Sequence, residues 1–349
     1  MTDAEDLPIR PATAGDEARL VDLFASVYGR SIDVSHWRWK LAHPQATVPN
    51  VWLVMSGERP VFQYAGIPTT LRIDGAAVTG MVSVDTMTAP DFRRRGLLTR
   101  VATQVYAQWG DAGMAFVMGL PNEKWGSRTS AVGLRPLFPF RWLARPLRPE
   151  ALLAHRLSIP WLRRLSFVSA LWSWATSLPG RPDASVQVRP VDRAGVEFDD
   201  LWERCKDDAR FGVVRDRRWV QWRFLDCPSR RYEVRLALRG TEPVGYCAYH
   251  VHEAGGRRSA FLAELACARG DMGARDALLA DLIRQLPGVE LLWTQAAPGT
   301  HTYRWLRRRA FFVGHEFSVQ MAPFSPHLPI DDMARPEHWE LSGAAFDVI

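Results

Sequence analysis

The clearest periodic segment of the chain runs from Leu97 to Trp109. Leu97, Leu98, Val101, Ala102, Val105, Tyr106 and Trp109 recur at helical spacing, and Arg100, Thr103 and Gln104 fill the other side. That pattern predicts an amphipathic helix with one face on a sheet. Upstream, Val82 to Thr88 reads as a strand and Ala89-Pro90-Asp91-Phe92 as a turn. Asp85 is the one charge in that strand. Strict alternation places it on the face of Ser83 and Met87, with Val82 and Val84 on the other. Earlier in the chain Ile9 begins a strand, Glu17 to Tyr28 a helix, and apolar residues flank Gly57 as in a hairpin.

The same order of signals occurs twice. Ile9-Arg10-Pro11, Gly15 and Leu23-Phe24 are followed much later by Val188-Arg189-Pro190, Gly195 and Leu201-Trp202. Trp39-Lys40 with Pro44 is matched by Trp222-Arg223 with Pro228. Gly57-Glu58-Arg59-Pro60-Val61 with Ala65 aligns without a gap to Gly240-Thr241-Glu242-Pro243-Val244 with Ala248. Three matches in one order at nearly constant separation indicate a duplicated unit.

Length agrees with that reading, since 349 residues with 47% hydrophobic content suffice for two ordinary cores. The boundaries drawn from the sequence are 1–150 for the first domain, 151–185 for a linker, 186–325 for the second domain and 326–349 for a tail. The linker's apolar stretch, Leu165 to Leu178, has 14 residues, short of the ~20 that a membrane-spanning helix needs. A helix packed across both domains and a peripheral membrane contact through 161–178, beside Arg163 and Arg164, are the two readings of it. Met1 to Arg10 has no apolar run, which argues against a secretory signal. Cys205, Cys227, Cys247 and Cys267 form no CxxC pair, as expected of buried thiols in a reducing, cytoplasmic setting.

A net charge of +6 changes the picture little, because 41 of the 44 basic residues are arginine and they are dispersed. A polyanionic small ligand fits better than nucleic acid. The candidate site for one is Arg93-Arg94-Arg95-Gly96-Leu97-Leu98-Thr99, which opens the amphipathic helix. A helix start offers unsatisfied N–H donors and about half a positive charge. Gly96 lets a phosphate approach the main chain, and the arginines add charge. The histidines form no HExxH arrangement, and no metal is expected. Walker, dinucleotide-fold and nucleophile-elbow signatures are absent.

Arg93-x-x-Gly96-x-Leu98 after a strand and Pro90 resembles the acyl-coenzyme A loop of the GNAT superfamily, usually written Gln/Arg-x-x-Gly-x-Gly/Ala. Leu98 departs from the last position, as in tandem-domain GNAT subgroups with Arg-Arg-Arg-Gly-Leu-Leu loops. Pro121-Asn122 followed by Gly133-Leu134 keeps the family's eleven-residue step from asparagine to glycine. The resemblance implies an α+β fold of two tandem GNAT-like domains, each a mixed, mostly antiparallel sheet flanked by helices. It implies acetyl-coenzyme A or another acyl-coenzyme A as co-substrate, and direct acyl transfer to an amine in a ternary complex. The acceptor could be a small amine, an amino sugar or a protein amine. Backbone N–H groups near Met87 and Thr88 would bind the thioester carbonyl. Asn122 would border the pantetheine arm. Two roles fit Asp85: general base for the amine, or a carboxylate that holds the loop. Glu264 stands in the matching place of the second copy. Many members carry a tyrosine seven residues after the asparagine to protonate the departing thiolate. Here that position is Thr129, a much poorer acid, with Ser127 and Ser130 nearby. Glu123 could meet the acceptor or favour a helix start. The second loop, Ala268 to Arg275, lacks the Arg-x-x-Gly spacing and carries Asp271, so one coenzyme site is expected, in the first copy. The alternative from another class is a non-catalytic GNAT-fold binding or scaffold module.

Overall fold

The computed structural model describes residues 6–41, 43, 46–122, 125–126, 128–177 and 182–346. The first part of the chain runs β1 (Ile9–Pro11), α1 (Glu17–Tyr28), α2 (Val34–Leu41), β2 (Val51–Ser56), β3 (Arg59–Ile73), β4 (Ala76–Thr88), α3 (Leu97–Asp111), β5 (Phe116–Gly119) and α4 (Arg128–Ala131). There follow β6 (Arg135–Pro146), α5 (Pro149–Arg156), α6 (Ser166–Ser177), β7 (Val186–Val191), α7 (Val196–Cys205), β8 (Phe211–Val213), α8 (Arg217–Val220), β9 (Glu233–Arg239), β10 (Glu242–Ala254) and β11 (Arg257–Cys267). The last part is α9 (Met272–Arg284), β12 (Leu291–Ala296), α10 (His301–Arg308), β13 (Phe312–Pro323), α11 (Ile330–Met333) and β14 (Trp339–Glu340).

The chain divides into two compact units. One comprises residues 1–138 and 317–335, the other 139–316 and 336–349. Each is thus assembled from two separate stretches of chain, whereas the sequence suggests contiguous segments. In the first unit β1, β2, β3 and β4 pair antiparallel in order, β4 pairs parallel with β5, and β5 pairs antiparallel with Gln320–Pro323 of β13. In the second, β7, β9, β10 and β11 pair antiparallel in order, β11 pairs parallel with β12, and β12 pairs antiparallel with Arg141–Pro146 of β6. The two strand orders are the same. The sixth place in each is filled by a strand remote in sequence from the other five: β13 closes the first sheet and β6 the second.

The repeated sequence marks play matching structural parts. Arg10 reaches Asp16 at the start of α1 in a two-pronged pair at 2.7 and 2.8 Å, and Arg189 reaches Glu197 in the first turn of α7 at 3.0 Å. Gly57 and Gly240 turn their hairpins with positive φ, 59° and 62°, which glycine adopts without a Cβ penalty. Helix α3 buries Leu97, Val101, Ala102, Val105, Tyr106 and Trp109, the face expected from its periodicity. Helix α6 buries Thr176, whose hydroxyl accepts a bond from Arg145, and leaves Phe167, Leu171 and Trp174 exposed. No helix among the described residues is long and apolar enough to cross a membrane. Leu178 lies outside the described residues, as does Pro44 of the repeat.

Candidate functional site

Strand β4 carries a bulge at the candidate site. Gln63 of β3 faces Met87 and Ala65 faces Val84, so Asp85 and Thr86 together stand opposite the single residue Tyr64. Gln63 and Ala65 share a face, and therefore Val84 and Met87 do too. The expectation that Met87 lies with Ser83 and opposite Val84 is overturned, because one extra residue reverses the alternation beyond it. Asp85 takes the left-handed region, φ 42°, and its carbonyl accepts a bond from Gln63 Nε2 at 2.9 Å.

The Asp85 carboxylate is met by Lys40 of α2, Nζ to Oδ2 2.6 Å, with the two side chains 0% and 8% exposed. Lys40 is the partner that sequence reasoning missed. Its signals were its place in the repeated Trp39-Lys40 mark and its rarity, as one of three lysines among 44 basic residues. Tyr28 of α1 also lies within reach of the Asp85 charge, and burial together with that charge pushes its hydroxyl above the ordinary tyrosine range.

Before the bulge, the parallel pairing of β4 with β5 covers only Met81–Val82 and Val117–Met118, so Ser83 to Thr88 continues against β3 alone. Ala89 N–H donates to Val61 on the β3 side at 2.9 Å. By alternation the preceding N–H, that of Thr88, points to the unpaired edge. A short turn over Pro90–Phe92 then leads to Arg93, extended, and to Arg94 and Gly96, both left-handed at φ 63° and 74°. Left-handed residues just before a helix turn successive N–H groups toward one concavity, a nest for anions. No side chain caps α3, and a Cβ built on Gly96 would meet nothing within 4 Å. The space beside Gly96, at the start of α3, is open. Arg93 and Arg94 are exposed, and Arg93 Nε donates to the Thr88 carbonyl at 3.4 Å. Arg95 folds back instead: it donates to the Asp91 carbonyl at 2.9 Å and covers the Phe92 ring. Of the remaining loop residues, Leu97 is buried and Leu98 and Thr99 are half-buried.

Asn122 is exposed, and its carbonyl accepts the Trp125 N–H at 3.0 Å. The Thr129 hydroxyl donates to the Gly126 carbonyl at 3.2 Å, and no hydrogen bond joins it to Asp85. Glu123 and Ser127 lie outside the described residues. No group of three histidine, cysteine or carboxylate side chains among the described residues could hold a metal ion.

The second unit repeats the short parallel pairing and the bulge, and differs in what surrounds them. There β11 pairs with β12 over Ser259–Phe261 and Leu291–Trp293, with a bulge at Ala263. Glu264 beside that bulge is buried against Arg215 at 2.9 Å and accepts the Ser342 hydroxyl at 2.8 Å. Arg223, the match of Lys40, is also buried, and its Nε donates to the Ala344 carbonyl at 3.0 Å. The C-terminal segment therefore lies in the gap between β11 and β12, so tightly that a Cβ on Gly343 would come within 2.9 Å of Phe261 and 2.7 Å of Gln295. Helix α9 is capped by Asp271, which accepts the Ala274 N–H at 2.9 Å and is bridged to Asp183 by Arg239.

The family described as Acetyltransferase (GNAT) domain matches residues 8–127. A comparison with curated proteins finds no match. Among solved structures, a GCN5-related N-acetyltransferase from Anabaena variabilis superposes with a TM-score of 0.65 at 10% identity, over 91% of this chain and 73% of that one. A probable N-acyltransferase from Enterococcus faecalis gives 0.63 at 13% identity, over 90% and 71%. A tandem GNAT protein from the clavulanic acid biosynthesis pathway gives 0.59 at 16% identity, over 92% and 99%. At such identities the likeness speaks for the fold alone: residues 8–127 match the GNAT domain family, and the chain as a whole has the tandem GNAT fold.

Proposed function

We propose that the protein transfers an acyl group from acyl-coenzyme A to an amine acceptor, both bound together, at a single site in the first unit. The observation that carries this reading is the open nest at Arg93 to Thr99, with two left-handed residues and exposed arginines ahead of a fifteen-residue helix without a side-chain cap. It fits a pyrophosphate, which needs convergent N–H donors and diffuse positive charge. Acyl-coenzyme A would supply a thioester, whose carbonyl carbon accepts the amine lone pair as the carbon–sulfur bond breaks.

The chain's own groups have distinct tasks. Arg93, Arg94 and the N–H groups from Gly96 to Thr99 bind the phosphates. The Thr88 N–H, directed to the unpaired edge of β4, donates to the carbonyl oxygen as negative charge grows there. Holding the two substrates together supplies much of the rate. We assign Asp85 a positioning role. Its carboxylate faces a buried ammonium, and that pair fixes the bulge that turns the Thr88 N–H outward. The acceptor amine then passes its proton to water. Thr129 donates its hydroxyl to a backbone carbonyl, so the thiolate leaves without that group's help, as a thiol of ordinary pKa near ~8.5 can. The four cysteines are free thiols, in keeping with a cytoplasmic setting. Peripheral membrane contact through 161–178 is supported by the exposed Phe167, Leu171 and Trp174, and cosedimentation with anionic vesicles tests it.

Calorimetric titration with acetyl-coenzyme A and with longer acyl thioesters tests the main reading. One site per chain, lost in Gly96→Glu, is expected, followed by thiol release with an amine panel. Binding without turnover on any amine would favour a non-catalytic binding module, and no binding to any thioester would exclude acyl transfer and favour the non-catalytic scaffold.

A further inference from the structure

In the second unit, one face of the sheet is built from aromatic residues where a solvated face would ordinarily be polar. The alternation is regular across four strands. Tyr249, Leu262, Leu292 and Leu143 point into the core beneath α9. Their neighbours His250, Phe261, Trp293 and Trp142 point the other way and form a contiguous ladder. Ring centroids are 5.8 Å apart for His250 and Phe261, 5.4 Å for Phe261 and Trp142, and 6.0 Å for Trp142 and Trp293, the last pair edge to face.

This face is the floor of a cavity of about 880 Å³. Its rim is contributed by Arg230 and Arg231, with His252 and His315. The lining contains no carboxylate. A volume of that order suits a small organic molecule, and flat rings of low entropy cost favour a flat ligand. Two arginines in the lining favour an anion; Glu233, 3.7 Å from Arg231 Nε, is an exposed partner outside the lining, so that guanidinium keeps further donors to offer. Burial, then Arg230 and His252, push His250 down to about 3, so at neutral pH it adds ring surface rather than charge.

We propose that this cavity is a second ligand site, for a flat aromatic ring system bearing an anionic group, with the rings against Trp142 and Trp293 and the anion toward Arg230 and Arg231. An aromatic carboxylate and an aromatic nucleotide share that chemistry. The site is independent of the acyl-coenzyme A site proposed above.

The experiment is calorimetric titration of the full chain with 2-naphthoate and with adenosine monophosphate, each beside its neutral counterpart, 2-naphthamide or adenosine. All titrations are repeated in Gly96→Glu, where the first unit's phosphate site is removed. At least one anion should bind one to one, unchanged in Gly96→Glu, and about tenfold tighter than its neutral counterpart. Which one does so identifies the source. Arg231 is 94% exposed, so Arg231→Glu leaves the fold intact and should weaken the anion about tenfold while sparing the neutral ligand. Trp293→Leu should weaken both. Failure of both anions to bind below about 1 mM overturns the proposal, as does equal affinity for the neutral compounds or undiminished affinity in Arg231→Glu.

Discussion

The two units run through the same order of strands and differ in what meets the helix after the fourth strand. In the first, α3 begins at a nest with no side-chain cap and with open space at Gly96. In the second, α9 begins under Asp271, and Arg239 ties that carboxylate to Asp183. The gap beyond the short parallel pairing is likewise filled in the second unit by Ser342 to Ala344 of the same chain. A duplicated fold thus satisfies one set of helix-end donors and one open strand edge with its own carboxylates and backbone, and leaves the equivalent set without a side-chain cap. Shared architecture by itself says nothing about which copy works.

Removing residues 339–349 would break the comparison most strongly. Trp339, Leu341 and Phe346 are buried, and at about 1.5–3 kcal/mol each their loss should cost the second unit roughly 5 kcal/mol or more. Hydrogen exchange should accelerate in β11 and β12 and stay unchanged in β4 and β5. No new coenzyme site should appear, because Asp271 still caps α9. Unchanged exchange in β11 would mean that the C-terminal segment fills the gap without supporting it.

Next in size is the buried pair of the first unit. Lys40→Met leaves Asp85 uncompensated and should destabilise by about 3–5 kcal/mol, with much of that recovered in the double variant Lys40→Met/Asp85→Asn. Denaturant titration reads both. If Asp85 positions the bulge, Asp85→Asn lowers turnover by the same factor at every pH. A general base would instead give a loss confined to one limb of the pH–rate profile.

Gly96→Glu should reduce acyl-coenzyme A affinity at least about a hundredfold, roughly 2.7 kcal/mol, by placing a carboxylate at the phosphate position. Gly270→Glu, in the corresponding loop of the second unit, has open space for its side chain and should leave affinity unchanged. Calorimetry on both variants decides whether the site count is one.

The smallest effect separates the two repeated arginine pairs. Arg10 holds the Asp16 carboxyl well below the usual carboxylate range, and Asp16 is 3% exposed. Asp16→Asn should cost about 1–2 kcal/mol at neutral pH. A depressed carboxylate stabilises above its ordinary pKa of about 4, so the difference from the parent should vanish as acid is added below that value. Glu197→Gln, breaking the more exposed Arg189 pair, should cost about 0.5 kcal/mol or less. Thermal melts across pH measure both.

Helix α3, its loop and the repeat were legible because each is set by local rules: apolar spacing, a glycine before the helix and recurring dipeptides. The bulge at Asp85 was not, since Val82 to Thr88 reads as an unbroken strand and the extra residue exists only by register with Gln63 and Ala65. Nor was the Lys40–Asp85 pair, which joins residues 45 positions apart. The role of Ser342 and Gly343 was hidden for the same reason: a small polar tail carries no pattern that names the gap it enters.

The exchanged sixth strands also bear on synthesis. When residue 138 has been made, the first sheet has five of its strands, and β13, which completes it, is almost two hundred residues away. Contacts that remote in sequence slow folding, because a long loop must close before they form. The edge of β5 stays bare on the nascent chain until Gln320–Pro323 have been made, a window in which that edge is open to aggregation or to a chaperone.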